Sequence, residues 1–168
     1  MKLPVYLAIA ALLALPLSPI SGTAIAEEAA HSHAHSHGDE AHRAMELNQE
    51  QKWETDAPLR RGMSELHQIV STGLDAAHAN TLTSDDYKNI SDQIMTQFTY
   101  IVENCKLEPE ADAQLHILLG NIIQGVEIIE GKVSGQQPEV GLRKMAQALN
   151  SYGSYFDHPQ WKDLDVSH

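Results

Sequence analysis

The chain has 168 residues, with 11 Lys and Arg against 23 Asp and Glu, a formal net charge of −12 with histidine neutral. That balance argues against nucleic acid as a partner, because phosphate binding needs a clustered positive surface. A single cysteine excludes an internal disulfide framework, an all-cysteine zinc site and a cysteine-ligated iron–sulfur cluster, whereas ten histidines are an anomaly that needs a reason.

Residues 1–26 have the layout of a secretory signal: Lys2, an apolar core from Val5 to Leu17, and Thr23-Ala24-Ile25-Ala26, whose small residues at −3 and −1 favour cleavage before Glu27. Pro4, Pro16, Ser18, Ser21 and Gly22 keep the run short of the ~20 apolar residues that an uncleaved span needs. No cysteine follows it, which removes a lipoprotein anchor. The expectation is an exported chain of about 142 residues, periplasmic in a Gram-negative host, with no membrane span after cleavage. Loss of Lys2 leaves 10 basic against 23 acidic residues, a net charge of −13. That length is one domain.

Residues 27–51 open with a tract that carries His31, His33, His35, His37 and His42 among Ser, Ala and Gly. The spacing offers no apolar face to bury, so the segment reads as disordered. Neutral imidazole is a good ligand for Cu, Zn and Ni, and His-x-His spacing lets two or three rings converge on one ion. Nothing in such a chain fixes a geometry that would reject one divalent ion, so affinity should follow the general order, with copper highest. A linker that merely keeps the chain soluble is the bland alternative. Binding should weaken as pH falls through the imidazole pKa of about 6.5, since protons compete for the same nitrogens.

From Pro58 onward the pattern is helical. Leu59, Met63, Leu66, Val70, Gly73 and Ala77 step by three and four along one stripe. Tyr87, Ile90, Ile94, Phe98, Ile101 and Cys105 repeat it, entered through Thr83-Ser84-Asp85-Asp86, an N-cap with acids in the first turn. A third stripe, Ala111, Leu115, Leu118, Ile122, Gly125 and Ile129, starts at Pro109 and stops at Gly131. The fourth is Leu142, Met145, Leu149, Tyr152 and Phe156, with Pro138 in its first turn. Four such segments joined by short connections predict an all-α fold, an antiparallel up-down-up-down four-helix bundle over residues 52–158. Lys52 to Pro58 reads as an extended strap with Thr55 or Asp56 as the cap and Trp53 against the bundle; residues 159–168 read as a tail pinned by Trp161.

Leu59-Arg60-Arg61-Gly62-Met63, Ile117-Leu118-Leu119-Gly120 with Glu130-Gly131-Lys132-Val133, and Asn150-Ser151-Tyr152 together resemble, in order and spacing, pieces of the cytochrome b562 family, periplasmic haem proteins built as four-helix bundles. The resemblance spans residues 59–156. It implies Met63 as an axial ligand of a non-covalent haem b. The family's histidine ligand does not carry over, because Gly153 follows Tyr152. His158, five residues on, would lie ~140° off the required face and ~7.5 Å further along a continued helix. No C-x-x-C-H segment is present, which excludes covalent attachment. A Met/His haem needs both ligands, so the resemblance implies a member of this fold group that has lost haem.

Helices 1 and 3 of such a bundle run parallel, which predicts Met63, His67 and His116 in one layer, approached by Cys105, Tyr152 and Gly153, as a lesser metal site suited to copper or zinc. Core packing of Met63 and local hydrogen bonds of the two histidines are the plain alternative. Cys105 reads as a buried or half-buried thiol that could cross-link chains if exposed. Asn89-Ile90-Ser91 is a glycosylation sequon inside a helix, and Gly125 to Lys132 fails the phosphate-loop spacing. No Ser/His/Asp order, paired carboxylates or His-Glu-x-x-His appears, so an enzyme is not expected. Three functions remain: capture or buffering of Cu, Zn or Ni by the histidine arm, electron transfer through haem b on Met63, or an envelope module that binds a partner protein.

Overall fold

The computed structural model describes residues 44–166. The signal segment 1–26 and the tract histidines His31, His33, His35, His37 and His42 lie outside the described residues. Four helices follow one another: α1 Ala57–His78, α2 Ser84–Asn104, α3 Pro109–Ile129 and α4 Pro138–Tyr155. Among the described residues there is no strand, only two isolated bridges, Asn48 with Gln51 and Trp53 with Phe156.

Local chemistry sets the ends. The Asp56 side chain accepts from Leu59 N and caps α1, whose first turn holds Pro58. Thr83 and Asp86 form a reciprocal capping box on α2. Proline opens α3 and α4, where the missing N–H costs nothing. Past α3, Gly131 takes a positive φ of 71°. Its N–H reaches Ile128 O and the N–H of Lys132 reaches Glu127 O, a double bond pattern that satisfies the last carbonyls and favours glycine.

The predicted stripes of α1, α3 and α4 are buried throughout. In α2, Tyr87, Ile90, Ile94 and Ile101 are buried, while Phe98 and Cys105 are only partly covered and sit at the edge of the core. Each fully buried Leu, Ile or Met contributes about 1.5–3 kcal/mol relative to exposure, and Leu59, Met63, Ile94, Leu118, Leu142 and Met145 are all at 0% exposure. Helix α1 packs on α2 and α4, and α3 packs on the same two neighbours. Gly62 of α1 faces Ile101 near the end of α2, and Gly73 lies between Ile90 of α2 and Leu142 of α4. Gly125 of α3 faces Gly141 and Met145 of α4, and Ser91 of α2 bonds Glu130 past the end of α3 at 2.8 Å.

Two extended segments close over one end. The strap before α1 pairs with the chain after α4: Trp53 N donates to Tyr155 O, Asp157 N to Trp53 O, and Thr55 Oγ1 to Asp157 O. The bundle was expected to run helically to residue 158; α4 instead ends at Tyr155, because Phe156 turns extended (φ −115°, ψ 139°) to join this pairing. Pro159 also biases His158 away from helix. The helical rotation expected for His158 therefore does not apply.

Candidate functional site

The ligand-bearing residues that sequence pattern singled out are dispersed over the described body. Met63 is fully buried in the core. His116 projects from α3 into solvent with its side chain 56% exposed; its Nδ1 lies 2.9 Å from Asp112 O and 3.4 Å from Asp112 Oδ2, an i−4 interaction within its own helix. His67 is half-buried on α1, and its Nε2 donates to Lys162 O at 2.8 Å. Each imidazole thus has a local partner of its own. Among the described residues, no group of three or more His, Cys, Asp and Glu side chains is placed to share a metal ion. The layer of Met63, His67 and His116 is accordingly not assembled as a donor set: the methionine packs inward, one histidine is tied to the tail and the other faces water.

Cys105 caps α2 and is half-buried. Burial, with Asp56 and Asp112 adding negative charge, pushes its thiol up to about 11, which keeps it protonated and unreactive at neutral pH. Glu103 and Glu108 are exposed. A hollow of about 550 Å³ beside the strap is lined by Glu54, Asp56, Glu108 and Glu110, and Lys106 N already donates to Asp56 there. Ser91 of the sequon is buried and bonded to Glu130, so it is a structural hydroxyl.

The densest grouping of chemistry lies where α1, α4 and the tail meet. Trp161 lies over Gly153: a Cβ at that glycine would stand 2.6 Å from Trp161 Nε1 and closer still to Cδ1, so only glycine admits the indole. Tyr152 meets Trp161 edge-on, with centroids 4.7 Å apart, and stacks on Phe156 at 5.2 Å. His67 meets the indole edge-on at 5.0 Å and His158 tilts against it at 4.9 Å. The Tyr152 hydroxyl and His158 Nδ1 are 3.1 Å apart. Burial raises the Tyr152 phenol above its ordinary range, so it stays neutral, whereas burial followed by the Arg60 charge lowers His158 below the usual histidine value. The indole N–H is buried with no hydrogen-bond partner among the described residues. A cleft of about 330 Å³ beside it is lined by Ser64, His67, His158 and Trp161.

This cluster answers the haem expectation. The position that would have to supply the second axial ligand is Gly153, its side-chain space is filled by the Trp161 indole, and Met63 is enclosed by packed core. Those residues do not fit a Met/His haem. Sequence reasoning placed Trp161 as a pin but missed its seat; the available signal was a glycine interrupting a helical stripe, which often marks close approach.

No helix among the described residues is long and apolar enough to cross a membrane. Comparison of the chain with family models, curated proteins and solved structures finds no match.

Proposed function

We propose that the protein is an exported metal-handling protein, in which His31, His33, His35, His37 and His42 capture or buffer Cu, Zn or Ni beside a helical body arranged as an antiparallel up-down-up-down bundle. The observation that carries this reading is the tract itself: five imidazoles in twelve residues, spaced so that neighbouring rings can converge on one ion. The preceding residues support export, since their charge, apolar core and Ala-x-Ala end match a cleaved signal. The body supports a carrier role, because its own histidines are engaged locally and its core is packed with apolar side chains. The bundle topology is supported by the pairing of Gly62 with Ile101, Gly73 with Ile90 and Leu142, and Ser91 with Glu130. Each of these contacts joins one end of a helix to the opposite end of its neighbour.

The test is a titration of the processed chain with Zn²⁺, Cu²⁺ and Ni²⁺, read by calorimetry and by bound metal per chain. Deleting residues 31–42 should remove most of the uptake, and affinity in the parent should fall steadily between about pH 7.5 and 5.5 as imidazoles protonate. Unchanged stoichiometry after the deletion would reject the reading. Mass spectrometry of the exported chain should find Glu27 at the amino terminus.

A further inference from the structure

The chain after α4 is held by a small number of specific contacts. Leu164 is buried, and the Asn150 side chain grips it twice, accepting from Leu164 N at 2.7 Å and donating to Leu164 O at 2.9 Å. His67 tethers Lys162 O, and the Trp161 indole rests on Gly153 between the His67, His158 and Tyr152 rings. We propose that residues 157–164 form a latch that acid releases: neutral His158 holds Trp161 over Gly153, and a proton on His158 frees the tail while the four helices remain folded.

The chemistry around His158 points this way from each side. Arg60 and His67 face it from α1, Tyr152 from α4, and Asp157 adjoins it in the chain. While the ring is neutral, Nδ1 accepts the Tyr152 hydroxyl proton. Once protonated, Nδ1 becomes a donor, the buried hydroxyl loses its acceptor, and a second positive charge stands beside Arg60. Asp157 favours the cation, but burial and Arg60 outweigh it, so the ring holds its proton less well than free histidine. His67 differs: its Nε2–H donates to Lys162 O in both protonation states, so it tethers without sensing pH. The indole N–H of Trp161 has no partner when docked, and water would satisfy it on release, which brings the closed and open forms near balance.

The sign follows from linkage. A histidine whose folded pKa is depressed takes up its proton on release, so the latch is secure above the free value of 6.5 and weakens as pH falls below it.

Tryptophan emission of the full processed chain carrying Trp53→Phe, which leaves Trp161 as the reporter, is followed from pH 8 to 4.5 beside far-ultraviolet circular dichroism. The expected result is a red shift with a midpoint below 6.5 and no loss of helix. Gly153→Ala, whose methyl would displace the indole, should be red-shifted already at pH 8. His158→Gln, which keeps an acceptor for Tyr152 without a titrating proton, should stay blue at pH 4.5. Emission that is flat across the range, a transition that survives His158→Gln, or a red shift that accompanies loss of helix would overturn the proposal. Should His158→Gln not fold, proton NMR of the unsubstituted chain decides: His158 C2–H and the Trp161 indole N–H must move with one midpoint, and separate midpoints would equally overturn it.

Discussion

Asp56 satisfies two backbone donors from different parts of the chain. Its Oδ1 accepts from Leu59 N at the start of α1, and its Oδ2 accepts from Lys106 N in the α2–α3 connection, at 2.8 and 2.6 Å. Asp56→Ala removes both acceptors, and the expected loss is about 2 kcal/mol, from a cap worth ~1 kcal/mol and a second hydrogen bond of similar size. Urea denaturation should show a lower midpoint with an unchanged slope. The same carboxylate is the second cause, after burial, of the raised Cys105 thiol. With that thiol at about 11 against an ordinary 9.0, the folded protein should react with iodoacetamide at pH 8 roughly 100-fold more slowly than in urea, in proportion to the thiolate present. Equal rates in the two states would show that the thiol is not shielded.

Helix seams depend on what a side chain meets at closest approach. A Cβ on Gly141 of α4 would stand 2.5 Å from the backbone oxygen of Gly125 and 3.1 Å from Ile129 N, both main-chain atoms of the facing helix or its end. Helix propensity alone favours Ala over Gly by about 1 kcal/mol, yet Gly141→Ala is expected to destabilise by roughly 1–3 kcal/mol, because α3 and α4 must separate to admit the methyl. Thermal unfolding checks the sign, and a stabilised variant would mean the seam has slack. The elements themselves were legible in sequence: Leu59 to Ala77 and Ala111 to Ile129 declare their buried faces through periods of three and four, and Asp56, Thr83 and Gly131 mark ends through local hydrogen bonding. The end of α4 was not legible, because Phe156 leaves the helix to pair with Trp53, a partner more than a hundred residues away. The seat of Trp161 was hidden for the same reason, since His67 and Gly153 reach it from separate helices. The layer of Met63, His67 and His116 failed as a site because equal height along parallel helices does not fix which way each side chain points.

At the scale of the whole molecule, folding and metal capture should be separable. A ligand raises stability only to the extent that it binds the folded chain more tightly than the unfolded one, by RT ln(1 + [L]/Kd) for exclusive binding. Donors that are neighbours in sequence, as His31 to His42 are, come together through local chain geometry that the unfolded state also possesses. Donors spread over α1 and α3, such as His67 and His116, would converge only in the fold, and the described residues hold no such convergent group of three. Saturating Zn²⁺ is therefore expected to load the processed chain while moving its Tm by less than about 1 °C. A hundredfold excess over Kd bound only by the folded body would stabilise it by ~2.7 kcal/mol, a shift of several degrees for a domain of this size. Deleting residues 31–42 should leave the metal-free Tm unchanged. Differential scanning calorimetry with and without Zn²⁺ on both forms decides the matter. A large Zn²⁺-dependent rise that persists in the deletion form would place the metal in the helical body and return His67 and His116 to consideration as its ligands.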